Sequence, residues 1–346
     1  MDILGIGNAL LDIFSFSDED IALALGLHPN RSSHVPPERL DELLIAVPTP
    51  IPVSGGCVPN ALKAASFLGL ECAAVGCVGT EDREDDRWAR SFMDDLAESG
   101  VRTILERRTK PTGRCLVLHM PGGMKSVACA PGAAPTLDAG QIDDALVSRA
   151  RTVFVDGQTL RNRDVFEKIT RACRVSKVPL AIDVAAADIV REKSAVIERL
   201  LAESGATVFL NEDEARALAV SLEKTVPVDL SGYAPNERAD MVFSHYARSG
   251  SGTACIVVKR GERGAECWTA KGKTEAMTEP VRYPLDDTGA GDTFAGAFLA
   301  ARLGCHSLAE CLEAGNLAAR ACLSAPGTRL AKDDFAAIAR RLSRLS

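Results

Sequence analysis

The sequence predicts an α/β protein in which a mainly parallel sheet lies between two layers of helices. Three observations predict it. Short apolar runs rich in β-branched residues recur along the chain. Most of the later ones lack polar alternation, as strands covered on both faces do. Helical patterns fall between them, and strand alternating with helix favours parallel pairing through right-handed crossovers.

Taken in order, the apolar runs lie at 3–6, 73–78, 115–118, 153–155, 180–184, 207–210 and 256–258. Helical patterns occupy 60–68, 87–98, 138–150, 164–173, 194–202, 212–220 and 308–323. Two regions break the rhythm. Residues 13–52 are irregular and carry Pro29, Pro36, Pro37, Pro48, Pro50 and Pro52, while 102–131 contain a hairpin pattern turning at Pro121-Gly122-Gly123. Both fit a small β lid better than the main sheet. The polar, Gly- and Ser-containing stretch 223–252 reads as a loop with a short helix. No repeat or low-complexity segment divides the chain, so residues 1–346 are expected to form one domain.

At 346 residues, 46% hydrophobic and 25% charged, the chain is long enough to bury an ordinary core. A net charge of −7, with no basic run longer than Arg107-Arg108, argues against a nucleic-acid partner. No apolar run approaches the ~20 residues of a membrane span. The N-terminus shows no leader pattern, which points to the cytoplasm. The eleven cysteines lack C-x-x-C spacing and nearby histidines, so free, buried thiols in a reducing compartment are expected.

The strongest local signal is Asp286-Asp287-Thr288-Gly289-Ala290-Gly291-Asp292, which leads into the apolar helical run 295–303. Glycines where a loop becomes a helix let the backbone approach a ligand, and the first helical amides are unpaired donors at the positive end. Such donors stabilise a phosphoryl group in transfer. Asp292, on the first turn, can accept the proton of an attacking hydroxyl. A lone aspartate there would read as a helix cap, but the flanking Gly-Ala-Gly reverses that preference. The segment resembles the Asp-Thr-Thr-Gly-Ala-Gly-Asp signature of the ribokinase-like (PfkB) carbohydrate kinases. The resemblance implies that Asp292 is the catalytic base and that the amides of Gly289, Ala290 and Gly291 form the anion hole. Asp287 departs from the signature, and its carboxylate would repel phosphates unless it points away or meets a cation.

Further segments resemble the same family, in family order. Gly55-Gly56-Cys57-Val58-Pro59-Asn60 resembles its Gly-Gly-x-x-x-Asn motif, which implies that Gly55, Gly56 and Asn60 contact the substrate. Gly5-Ile6-Gly7-Asn8-Ala9-Leu10-Leu11-Asp12 fails as a dinucleotide fingerprint, because Leu10 stands where a third glycine or alanine belongs. It resembles instead the Gly-Asn-x-x-x-Asp opening of these kinases, in which Asp12 would bind two ring hydroxyls with Asn8 nearby. Asn211-Glu212-Asp213-Glu214 resembles the Asn-x-x-Glu motif, so Asn211 and Glu214 inherit the organising of Mg2+ and phosphate, Glu214 through water. Lys259 and Gly261, in Val258-Lys259-Arg260-Gly261, match nucleotide contacts, and Asn316 matches a position near the adenine. Asp286 and the Thr288 carbonyl match a monovalent-cation (K+) site of part of the family.

The implied fold is a three-layer α/β/α, Rossmann-like (ribokinase-like) domain with a lid from residues near 13–52 and 102–131. The implied activity is ATP- and Mg2+-dependent phosphorylation of a hydroxyl on a sugar or nucleoside. The opening motif and Ala314-Gly315-Asn316 resemble the adenosine kinase branch, yet free sugar and nucleoside both stay open. The lid is a candidate surface for pairing two copies. A noncatalytic sugar- or nucleotide-binding sensor of the same fold is the competing reading, kept alive by Asp287.

Overall fold

The computed structural model describes residues 1–227, 229–249, 254–325, 327–330 and 332–343. The chain opens with β1 (Ile3–Ile6), buried throughout. It then leaves for a second sheet through β2 (Leu10–Phe16), α1 (Glu19–Ala24), β3 (Ser32–His34), α2 (Pro37–Ala46) and β4 (Ile51–Gly55). α3 (Cys57–Phe67) returns to the core, followed by β5 (Cys72–Glu81), the two-residue β6 (Glu84–Asp85), α4 (Arg87–Glu98) and β7 (Val101–Arg108). The hairpin of β8 (Gly113–His119) and β9 (Lys125–Ala130) rejoins the second sheet. From there helix and strand alternate: α5 (Asp144–Ser148), β10 (Thr152–Asp156), α6 (Arg163–Ser176), β11 (Leu180–Asp183), α7 (Ala187–Arg199), β12 (Thr207–Asn211), α8 (Glu212–Leu222) and α9 (Pro235–Arg248). β13 (Cys255–Lys259), β14 (Ala265–Thr269) and β15 (Gly272–Ala276) complete the main sheet. α10 (Ala290–Leu303), α11 (Leu308–Cys322) and α12 (Lys332–Ser343) close the fold.

The main sheet runs β15-β14-β13-β12-β11-β10-β1-β5, with β7 parallel to β5 beyond it and β6 on the end of β5. Among the described residues of this sheet, only β14, β15 and β6 add antiparallel pairings. Side-chain alternation assigns the two faces. Leu4 and Ile6 of β1 join the core under α6–α9, whereas Ile3 joins the core under α3, α10 and α11. α10 is buried without a break from Thr293 to Ala301, which explains why its sequence lacks a polar face. This is the expected α/β/α arrangement. Strand order reverses around β1, so its carboxyl end opens into the crevice where ligands of such sheets bind. The second sheet, β3-β9-β8-β2-β4, stands over that end of the crevice, with α1 and α2 contributing to the core beneath it. Among the described residues, no helix is long and apolar enough to cross a membrane.

Several expectations need correction. Residues 102–108 belong to β7 on the main sheet, and only the hairpin beyond Gly113 joins the second sheet. The polar alternation of β7 comes from its place at a sheet edge, and it mimics a lid strand. The helix expected at 138–150 is a 3-10 turn at Ala139–Gln141 followed by the short α5, because the caps Asp138 and Asp143 start two separate turns. The expected short helix within 223–252 is the 14-residue α9; residues 228 and 250–252 of that stretch lie outside the described residues. Cys115 and Cys129, directly opposite on β8 and β9 with Cα atoms 4.1 Å apart, pair as a disulfide, whereas the other nine cysteines are free. Cross-strand register, invisible in sequence spacing, brings them together.

Candidate active site

The turn into α10 is the centre of the site. Gly289 is its N-cap at φ 78° and ψ 0°, a left-handed conformation that glycine adopts without steric cost. A side chain there would also collide with the methyl group of Thr328. Of the three amides expected in the anion hole, that of Ala290 donates to the Asp287 carbonyl at 3.2 Å and so closes the turn. Asp292 lies in the first turn of α10, half-buried. Its Oδ2 accepts a hydrogen bond from Asn60 Nδ2 at 3.0 Å. Asn60 comes from the first turns of α3 and is itself buried, and its Oδ1 accepts from Thr328 Oγ1 at 2.7 Å. Asn60, expected to hold substrate hydroxyls, therefore engages its carbonyl and one N–H inside the protein.

Asp12 faces the same crevice from β2. β2 pairs antiparallel with β4, which sets Leu10 opposite Gly55. A side chain on Gly55 would run into the Asp12 carboxylate, so the first glycine of the pair makes room for that group. Gly56 caps α3 next to the Asn8 carbonyl. Burial, then the neighbouring Asp292 carboxylate, push Asp12 up to about 7 against the pull of Lys63. Asn8, half-buried at the end of β1, donates its backbone amide to Asp156, a buried carboxylate that also accepts from the Thr159 amide and hydroxyl. A cavity of about 460 Å³ adjoins Asn8, lined by Ala134, Pro135, Gln158, Thr159 and Asn162 among others.

A second group of charges lies on the sheet side. Lys259, at the end of β13, donates to Asp183 Oδ2 at 2.5 Å and lies 3.5 Å from the Gly291 carbonyl. Burial opposes its charge, but Asp183, Glu214 and Asp292 outweigh that and hold the ammonium above its usual value. Burial also presses Asp183 upward against Lys259, with Asp292 and Glu214 adding to the push. Its Oδ1 is buried without a partner among the described residues. Glu214 is raised as well, by burial first, against the pull of Lys259 and the Asn211 amide. Asn211 and Glu214 form a reciprocal capping box at the start of α8, with bonds of 2.7–2.9 Å.

The carboxylates at 286 and 287 have distinct partners. Asp286 is buried and staples the turn: Oδ1 accepts from the Thr288 amide at 3.1 Å and hydroxyl at 2.8 Å, and Oδ2 from the Gly327 amide at 2.7 Å. Asp287 is exposed and pairs with Lys125 of β9, whose Nζ also reaches Thr288 Oγ1 at 3.3 Å. Lys125 supplies a positive charge at this turn, beside both Asp286 and Asp287.

Two further residues expected at the nucleotide are Gly261 and Asn316. Gly261 is at the exposed tip of the β13–β14 turn. Asn316 is buried on α11 and donates to the carbonyls of Ala276 and Met277 at 3.1 and 3.4 Å, tying down the end of β15 rather than offering its N–H groups to a ligand. Sequence reasoning missed Lys63, Asp95, Asp183, Lys125 and Thr328. Lys63 left one signal: it is the only charged residue of the mostly apolar α3. Thr328 left none.

Known proteins share this architecture, with about a quarter of the sequence identical or less. The chain is 26% identical to adenosine kinase of Schizophyllum commune over 336 residues, covering 91% of this chain and 92% of that protein. The crystal structure of adenosine kinase from Sinorhizobium meliloti superposes with a TM-score of 0.80 at 23% identity, covering 98% of both chains. A probable sugar kinase from Rhizobium etli superposes with a TM-score of 0.82 at 21% identity, covering 99% of this chain and 98% of that one. The pfkB family carbohydrate kinase pattern matches residues 30–334, and with more than half the chain matched, the protein belongs to that family.

Proposed function

We propose that this chain transfers the γ-phosphoryl group of ATP to a hydroxyl of a sugar or nucleoside, with Asp292 as the base. The observation that carries the proposal is the Asp292 carboxylate, held by Asn60 at the amide end of α10 and facing Asp12 across the crevice. Asp12 accepts hydrogen bonds from two neighbouring hydroxyls of the acceptor and turns a third toward Asp292. The acceptor O–H gives its proton to Asp292 as its oxygen bonds the γ-phosphorus. The bond from that phosphorus to the β–γ bridging oxygen breaks, and ADP leaves. The Gly289 and Gly291 amides and Lys259 meet the charge that builds on the phosphoryl oxygens.

The Asp183–Glu214 cluster fits Mg2+. An Asp183 oxygen with no partner among the described residues, and the push of Asp292 on both Asp183 and Glu214, describe a site that a further positive charge would relieve. Mg2+, bound mostly through water, would neutralise the phosphates there. The second sheet, closing over the crevice, would keep water from competing as acceptor.

A free sugar is one acceptor reading, since it carries the neighbouring hydroxyls that Asp12 would bind. A nucleoside is the second reading, favoured by the adenosine kinase relatives. ADP release from Mg-ATP across paired acceptors, with and without vicinal hydroxyls, tests both. Turnover with one diol and loss with its deoxy partner is expected. ATP binding with no ADP release from any acceptor would favour the noncatalytic sensor.

Asp287 gives a separate prediction. Lys125→Met leaves that carboxylate unneutralised next to the phosphates, so the KM for ATP is expected to rise about two- to fivefold, within the range of a partly exposed ion pair. Adding Asp287→Thr should restore it. Equal KM values for the single and double variants would remove the pair from this role.

A further inference from the structure

A chain of hydrogen bonds runs from the back of α3 to the base. Lys63 is 2% exposed, and its ammonium has three partners: Asp95 Oδ2 at 3.1 Å, Ser54 Oγ at 3.2 Å and Thr328 Oγ1 at 3.2 Å. An ammonium carries three N–H donors and no acceptor, so all three are used. Asp95 anchors it. Burial pushes Asp95 up, but Lys63 and the Ser54 amide and hydroxyl outweigh that and hold it below its ordinary value.

The direction of every remaining bond follows from Lys63. Thr328 Oγ1 receives an N–H from Lys63 and must give its own proton to an acceptor. Two carbonyl oxygens are in reach, Asn60 Oδ1 at 2.7 Å and Ser54 O at 3.3 Å, and the first is much the better placed. An amide side chain can otherwise be turned either way round. Here a donating Thr328 requires the oxygen of Asn60 on its side, which leaves the NH2 group facing Asp292 at 3.0 Å. Reversed, Asn60 would set its carbonyl against a carboxylate and its N–H against a donor. The methyl group of Thr328 meanwhile packs under Gly289, where a side chain would collide with it. One residue thus touches both the support of the base and the turn that carries the hole amides.

We propose that Thr328, oriented by Lys63, is a positioning residue that fixes the Asn60 amide and, through it, the Asp292 carboxylate. The inference rests on Asp292 being the base. Thr328 touches no reacting atom. What it controls is where the proton acceptor points, and a displacement of the order of 1 Å at such a group can cost about 100-fold in rate.

Thr328→Val keeps the shape and the packing under Gly289 but removes the hydroxyl, whereas Thr328→Ser keeps the hydroxyl and removes the methyl. With the whole chain and a working acceptor, the valine variant is expected to lose about 10- to 100-fold in kcat with little change in the acceptor KM. The serine variant should stay within about threefold of the native kcat. Hydrogen exchange at the Asn60 side-chain NH2, followed by NMR, gives a second readout that needs no turnover. It should be slow in the native and serine proteins and at least about tenfold faster in the valine variant. Native kcat in the valine variant, or equal losses in valine and serine, would overturn the proposal. So would unchanged Asn60 exchange in the valine variant. Should valine prevent folding, Thr328→Ala against Thr328→Ser carries the same comparison. Absence of transfer by the native protein would sink the kinase reading and leave the exchange data to judge the hydrogen-bond chain.

Discussion

Asp292→Asn is expected to lower kcat by about 10²–10⁴-fold, the contribution of a positioned general base. The substitution is well matched to the site. The new amide can turn its oxygen toward Asn60 Nδ2 and keep the 3.0 Å bond, so the change removes the proton acceptor and little else. ATP and acceptor should therefore still bind with near-native affinity, and the loss should fall on kcat. Calorimetry for binding and steady-state kinetics for turnover check the two halves. Near-native turnover would take the base role away from Asp292.

Asp12→Asn should act on binding instead. A carboxylate bridging two hydroxyls makes two charge-assisted bonds, each worth about 1.5–3 kcal/mol, so the acceptor KM is expected to rise at least about 100-fold. The pH dependence carries a second signature. Asp12 is pushed up to about 7 by burial and by Asp292, and only its ionised form accepts from both hydroxyls. The native acceptor KM should fall as pH rises through about 7, while the KM of the Asn variant should not respond. Stability without ligand runs the other way. The folded-state value lies above that of the unfolded chain, so Asp12's contribution is fully present in acid and is lost as pH climbs toward 7. The Asn variant should lose less stability across that interval in thermal unfolding. An unchanged KM would remove Asp12 from substrate binding.

What could be read in the sequence was what is encoded locally. The turn at 286–292 and the buried helix behind it are contiguous, and their spacing alone set Asp292 beside the helix amides. Asn211 and Glu214 were readable for the same reason, since a capping box spans three residues. The rest of the site depends on distant partners. Lys63 meets Asp95 across 32 residues and Thr328 across 265. Asp287, the residue that departs from the signature, is answered by Lys125 from 162 residues away. Asn60 was found by motif but given a different partner, because nothing in the local pattern says that Thr328 and Asp292 lie on either side of it. The fold was legible because buried parallel strands leave continuous apolar runs. β7 was misplaced because an edge strand does not.

Whether phosphate moves from ATP to an acceptor hydroxyl at this crevice can be read from product stoichiometry. With an acceptor that stimulates turnover, one phosphorylated acceptor is expected for each ADP formed, measured by mass spectrometry, with negligible free phosphate. ADP matched by free phosphate, with the acceptor unmodified, would mean that water is the acceptor, and would contradict that transfer.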